Sequence, residues 1–168
     1  MTEPSGTAVA DNGKPIESVW DFPRPPRLER VEWRIRVIHA GHTVVDAPWA
    51  FRVLETSQPP AYYVDPAHVD GEVLQPSNHG TFCEWKGMAS YVDLVVDGAR
   101  VPDAGWFYRE PSAAFAPLRD HLAFYAQKAD RCLVDDEEVA SNEGAFYGGW
   151  ITANVTGPFK GAPGTGHW

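Results

Sequence analysis

The sequence predicts a mainly β fold: short antiparallel strands in two small sheets, with one α-helix. Three observations predict it. Fifteen glycines and fifteen prolines in 168 residues interrupt the chain too often for a helical bundle. Apolar and basic residues alternate through Trp33-Arg34-Ile35-Arg36-Val37-Ile38, the period of a half-buried strand. Turn formers such as Asp97-Gly98, flanked by apolar residues, join stretches of this kind as hairpins. This length suits one domain with one core, and a hydrophobic share of 43% with seven tryptophans can build it.

Composition also bounds function. A net charge of −9 disfavours a nucleic-acid partner, because phosphate binding needs a basic stripe. Cys83 and Cys132 are the two cysteines and neither lies in a CxxC pair, so a reduced, cytoplasmic protein is expected in the absence of an apolar leader. No apolar run reaches the ~20 residues that span a bilayer, so no membrane association is expected.

In order, residues 1–30 read as a disordered leader to Lys14 followed by a proline-rich extended arm. Trp20 and Phe22 of this arm would lie on the chain's own domain or on a twin subunit. Residues 31–141 form the β domain. Its first hairpin turns at Ala40-Gly41, flanked by His39 and His42, and returns through Thr43 to Val45. Ala50 to Glu55 is a strand with Phe51, Val53 and Glu55 on one face and Arg52 and Leu54 on the other. Ala61 to Val64 is another. Pro76 to Gly80 is a loop of turn formers. Tyr91 to Val96 and Arg100-Val101 flank Asp97-Gly98, and Trp106 to Tyr108 is a further aromatic strand. Ser112 can cap a helix from Ala113 to Phe124, with Phe115, Leu118 and Leu122 on one face. Strand fragments follow at Arg131 to Val134 and at Val139. Residues 142–168, rich in Gly, Pro and aromatics, are expected to run as a tail packed on the domain.

Reactive side chains concentrate between Thr81 and Val96, TFCEWKGMASYVDLVV. In an extended chain Cys83 and Trp85 face one side, Glu84 and Lys86 the other. Cys83 is either a nucleophile, with His79 near in sequence as its base, or a small buried hydrophobe. Lys86 precedes Gly87, which allows a bulge or close backbone approach, and could hold a carboxylate or phosphate. Six scattered histidines show no zinc spacing, so no metal is expected. Lys160-Gly161 lacks the order and the following helix of a phosphate loop. On a strand Asp93 and Asp97 would lie ~13 Å apart, too far to share a metal ion.

RVLE at Arg52 to Glu55, PPAYY at Pro59 to Tyr63, TFCEWKGMASY at Thr81 to Tyr91, WFY at Trp106 and AFY at Ala123 together resemble the domain-of-unknown-function family 427, over roughly Val31 to Val139. The WDFPRPPRLE arm and the GGW and GPFKGAPGTGHW tail resemble extended actinobacterial-type members. The resemblance implies a compact β-tent-like fold of two antiparallel sheets. Many β-tent proteins pin their sheets with zinc through paired cysteines, which this chain lacks, so the expectation is a fold without the metal. The nucleotidyltransferase label sometimes attached to the family finds no supporting residues here. Positions carried over as pocket candidates are Arg52, Glu55, Tyr63, Cys83, Trp85, Lys86 and Tyr91, with Tyr108 added.

The expected function is binding, and in an enzyme reading transforming, a small polar or anionic molecule in an aromatic pocket, without a cofactor. Arg52 and Lys86 would supply charge, and Tyr63, Trp85, Tyr91 and Tyr108 walls and hydroxyls. An enzyme would use Cys83 as nucleophile, Glu55 as proton acceptor and Lys86 beside them. The alternative is a non-catalytic interaction module, self-associating as a homodimer through the arm or tail, with Arg52 and Glu55 as a structural ion pair.

Overall fold

A computed structural model describes residues 8–141, 148–161 and 164–168; the rest of the expected leader (1–7) and parts of the tail (142–147, 162–163) lie outside the described residues. The early strands are β1 (Glu17–Ser18), β2 (Arg27–Val31), β3 (Ile35–His39), β4 (His42–Ala47), β5 (Ala50–Leu54) and β6 (Ala61–Tyr63). Three long strands follow, β7 (Leu74–Cys83), β8 (Gly87–Val96) and β9 (Ala99–Tyr108). Short ones close the chain: β10 (Ala123–Phe124), β11 (Arg131–Val134), β12 (Glu137–Glu138), β13 (Ala140–Ser141), β14 (Trp150–Ile151) and β15 (Val155–Thr156).

The fold is mainly β, in more pieces than two sheets. Two four-stranded antiparallel sheets have the orders β10-β9-β8-β7 and β12-β11-β3-β4, and β2-β5-β6 forms a third sheet. Two-stranded ribbons join β13 to β14 and, in parallel, β1 to β15. The tight turns follow local chemistry: Ala40-Gly41 and Asp97-Gly98 each put two successive residues at positive φ, the twist that a two-residue hairpin needs.

The predicted helix is a correction, since no α-helix occurs among the described residues. Ala113–Leu118 is a 3₁₀ segment with Pro117 inside it and Phe115 off helical geometry. Pro117 lacks the N–H to continue the ladder, and Asp120 turns the chain at φ 59. Ala123–Phe124 then pairs with Trp106 and Gly105 of β9. The apolar spacing was real, but a turn and a strand satisfy it: Phe115 and Leu118 are buried among aromatics, while Leu122 bridges Val64.

Two further expectations change. The predicted Pro76–Gly80 loop lies inside β7 as a bulge, where the register with β8 jumps from Pro76↔Val92 to Gly80↔Ser90. The end of the proline-rich arm is β2, paired with β5 along its length. Within the expected disordered leader, Lys14 is buried, its Nζ 2.6 Å from Asp135 Oδ2 and 4.8 Å from the Trp33 ring centre.

Strand alternation sorts the core. Val92, Leu94 and Val96 of β8 enter the larger cluster with Ile35, Val37 and Val45, whereas Ala89 and Tyr91 enter an aromatic cluster with Tyr63, Trp106 and Tyr108. Trp150 anchors the tail in the larger one, stacked on Tyr62 with ring centres 5.3 Å apart and donating Nε1–H to the Phe124 carbonyl at 2.8 Å. Burying such a ring is worth a few kcal/mol, which holds the tail against the body.

Candidate functional site

The aromatic cluster surrounds a cavity of about 280 Å³ between the β7–β8 hairpin, β5, β6 and the tail. The register of β8 with β9 sets its walls: Tyr91 lies opposite Trp106, and Ala89 opposite Tyr108. Ala89 is the small member of that square of side chains, so ring volume is missing there. Tyr63 comes from β6 and donates nothing to water; it is fully buried, and its hydroxyl accepts the Trp106 Nε1–H at 3.0 Å.

The β7–β8 connection decides the chemistry. Glu84, Trp85 and Lys86 are the turn of the hairpin, which closes at the pair Cys83↔Gly87. The expected separation of Cys83 and Lys86 onto opposite faces is therefore a correction, because a reversing turn does not alternate sides and both line the cavity. Gly87 holds φ +106, and a Cβ there would come 3.3 Å from the Glu110 carbonyl, so glycine is required. Ser112, expected as a helix cap, pins this turn instead: its Oγ donates to the Trp85 carbonyl at 2.5 Å and its N–H to the Lys86 carbonyl at 3.0 Å.

Lys86 is 8% exposed, and among the described residues no carboxylate stands within 4.0 Å of its ammonium. Instead Nζ lies 5.8 Å from the ring centre of Tyr108 and 5.9 Å from that of Phe115, cation–π range. Burial pulls the pKa of Lys86 down, but Tyr63, Cys83 and Glu55 pull it up more strongly and the balance is raised. Tyr63 attracts through charge only when ionised, and complete burial pushes its own pKa up. Among the described residues the ammonium therefore meets the Cys83 side chain and two ring faces, with Glu55 attracting it from beyond 4.0 Å.

The other predicted residues divide. Glu55, Tyr63, Cys83, Trp85, Tyr91 and Tyr108 all line the cavity with Lys86. Burial, reinforced by the neighbouring Tyr63, pushes the Tyr108 hydroxyl far up. Tyr91 Oη lies 3.1 Å from Thr81 Oγ1 and 3.4 Å from Tyr125 Oη, a short hydroxyl chain along one wall. Cys83 is a free, half-buried thiol.

Arg52 does not reach the cavity, which corrects its assignment as a ligand group. It is 2% exposed on the opposite face of β5, bonded to Glu17 at 2.9 Å and to Glu29, with the Trp33 ring 4.9 Å away. Burial would lower its pKa, but these two carboxylates keep it raised. Arg52 and Glu55 are no ion pair either: Glu55 stands 3.6 Å from Arg24. The alternation on β5 already separated Arg52 from Glu55.

Reading the sequence missed Gln58, Trp106, Tyr125 and the tail residues Gly148, Gly149 and Lys160, which also line the cavity. The signal for the glycines was their adjacency before Trp150. A Cβ on Gly148 would sit 2.2 Å from Trp106 Cη2, and one on Gly149 2.3 Å from the Pro59 carbonyl oxygen, so only glycine lets the tail close this wall. Lys160 donates to the Trp168 carbonyl at 3.4 Å.

Comparison with known families matches residues 27–135 to the family described as Domain of unknown function (DUF427). The chain belongs to the DUF427 family. Its match opens at Arg27, the first residue of β2, and so covers the strand that holds β5 but stops before the tail glycines. No curated protein matches the chain. In this DUF427 chain no three His, Cys, Asp or Glu side chains among the described residues converge as a metal site, and no described helix is long and apolar enough to cross a membrane.

Proposed function

We propose that this DUF427 protein binds a small anionic molecule in the Lys86 cavity, in a reduced, cytoplasmic setting. One observation carries the reading: a buried ammonium with no carboxylate within 4.0 Å among the described residues, lining a hollow walled by tyrosine and tryptophan. Burying a cation without its counterion is unfavourable, and an incoming anion supplies the missing charge. The volume of about 280 Å³ is at the small end of ligand clefts, and apolar walls with few polar groups are their usual make-up. Tyr63, Trp85, Tyr91 and Tyr108 shape the ligand's body, and Lys86 fixes its charged end.

The test is a thermal-shift panel pairing anions with neutral isosteres: acetate against acetamide, benzoate against benzamide, and phenyl phosphate. At least one anion should raise the melting temperature where its neutral partner does not, and Lys86→Met should abolish that shift. A panel without any anion-dependent shift would remove the proposal.

The thiol of Cys83 beside Lys86 favours an extension to catalysis, with Cys83 as nucleophile and Glu55 as proton acceptor. Rapid alkylation of native protein by iodoacetamide near neutral pH, blocked by the bound anion, is the expected result; modification only after unfolding would reduce Cys83 to a wall residue.

The alternative, a self-associating module, draws its support from the hairpin rather than from the arm. Phe82 and Met88 are cross-strand partners exposed by 71% and 57%. The arm and tail, by contrast, engage each other within one chain: Trp20 lies 5.4 Å from Trp168 and donates Nε1–H to the Pro158 carbonyl at 2.8 Å. Light scattering that shows a dimer lost in Phe82→Ser would favour this reading.

A further inference from the structure

A second cavity, of about 480 Å³, lies along β7, β8 and β9 and includes His79, Arg109, Met88, Phe107 and Val92 in its lining. Two irregularities meet beside it. Ser77, Asn78 and His79 bulge out of β7 between the pairs Pro76↔Val92 and Gly80↔Ser90. On the other side of β8, Pro102, Asp103 and Ala104 bulge out of β9 between Val92↔Gly105 and Leu94↔Val101. Bulges re-aim side chains, and they concentrate beside active sites. Here the two sit at the same level of the central strand, and they bring together side chains from strands that are not neighbours.

The result is a constrained histidine. His79 Nδ1 lies 3.0 Å from Asp103 Oδ2, and Ser77 Oγ donates to Asp103 Oδ1 at 2.5 Å. The His79 backbone N–H donates to Ser77 Oγ at 3.1 Å, and its ring stacks on Tyr91 with centres 4.5 Å apart at 20°. Asp103 itself sits at φ 51, a region that disfavours most side chains. It is held there by its N–H on Asp93 Oδ1 at 2.9 Å and by Lys128 Nζ on its carbonyl at 3.1 Å. A carboxylate only accepts, so in the neutral form of the ring Nδ1 carries the proton and the lone pair is on Nε2. Among the described residues Nε2 has no hydrogen-bond partner. An exposed His–Asp pair on its own contributes little to stability, which does not account for two broken ladders and a left-handed aspartate.

We propose that the second cavity is an acid–base site in which His79, positioned by Asp103, hydrolyses small carboxylic esters with an apolar acyl group. Water attacks the acyl carbon while its proton passes to Nε2. The imidazolium, stabilised by Asp103, returns that proton to the leaving alkoxide as the C–O bond breaks, giving acid and alcohol. Met88, Phe107 and Val92 accept the acyl chain. Arg109, whose guanidinium lies 5.6 Å from the Phe107 ring centre, attracts the acid formed. This site shares Ala89 and Tyr91 with the wall of the Lys86 cavity but does not use Lys86.

The experiment follows hydrolysis of 4-nitrophenyl butyrate by the full chain, with free imidazole at equal concentration as reference. The wild type should exceed imidazole by about 100-fold or more, the lower end of positioned acid–base catalysis, and His79→Gln should fall to background. Asp103→Asn is a second variant that keeps the fold, because asparagine tolerates positive φ. It should lose most of the rate, with an unchanged melting temperature and a shifted His79 tautomer in ¹⁵N imidazole spectra. A wild type no faster than imidazole, or His79→Gln with full activity, overturns the proposal. A full-rate Asp103→Asn removes Asp103 from it.

Discussion

Replacing Lys86 by methionine separates a functional cation from a structural one. The ammonium is 8% exposed, and an ion so buried carries an effective desolvation penalty of several kcal/mol. What offsets it are the attraction of Tyr63, Cys83 and Glu55 and two ring faces at 5.8 and 5.9 Å, each ring worth about 0.5–2 kcal/mol. Methionine keeps the length of the stem and its contacts. The variant should therefore equal or exceed the wild type in stability, by about 0–3 kcal/mol, or up to about 10 °C in Tm for a chain of this size. Anion binding should fall in the same variant by about 2–4 kcal/mol, roughly 30- to 1,000-fold in Kd. Urea denaturation and calorimetric titration with the anion found active in the panel read the two effects separately. A drop in Tm of more than about 4 °C, or about 1 kcal/mol, would show that the ammonium is already satisfied by the protein, and the reasoning would fail.

Arg52→Met should behave in the opposite way. It leaves Glu17 and Glu29 facing each other without their shared cation, so stability should fall by about 2–4 kcal/mol, while any anion affinity of the Lys86 cavity is retained; unfolding curves and titrations decide. Gly148→Ala drives a methyl into the Trp106 ring and should lose about 1–3 kcal/mol by overpacking; an unchanged urea midpoint would contradict the wall described here. Acid should destabilise the fold. The Asp103 N–H and Arg100 hold Asp93 below the ordinary 3.8, and Asp135, though raised by burial, is brought below 3.8 by Lys14 and the Arg34 N–H. A carboxylate depressed by folding stabilises above its unfolded pKa and loses that contribution as pH falls through the folded value. The urea midpoint should thus hold from pH 6 to about 4 and drop below it, and Asp135→Asn should flatten part of that fall.

Much of the fold was legible because its signals are local. The alternation through Trp33 to Ile38 and the Ala40-Gly41 and Asp97-Gly98 turns act over a few residues: the turns became the expected hairpins, and the alternation became a strand that begins only at Ile35. Ala113 to Phe124 failed because apolar spacing reports burial and not the element that achieves it. Pro76 to Gly80 failed similarly: turn formers also make bulges, and only the pairing with β8 distinguishes the two. Of the site, Lys86, Cys83 and the tyrosines were found from residue type and motif. Arg52 was misplaced although its own strand alternation put it across from Glu55.

By itself the sequence determined a β-rich chain, its hairpin turns and the clustering of reactive side chains between Thr81 and Tyr91, since these depend on neighbours in the chain. Tertiary structure alone decided what each buried cation meets: Lys14 pairs with Asp135. Arg52 meets Glu17 and Glu29 because β1 and β2 fold over β5, whereas Lys86 is turned by its hairpin toward rings. Charge balance in a protein interior depends on what lies within a few ångströms in space, and those neighbours come from strands distant in sequence.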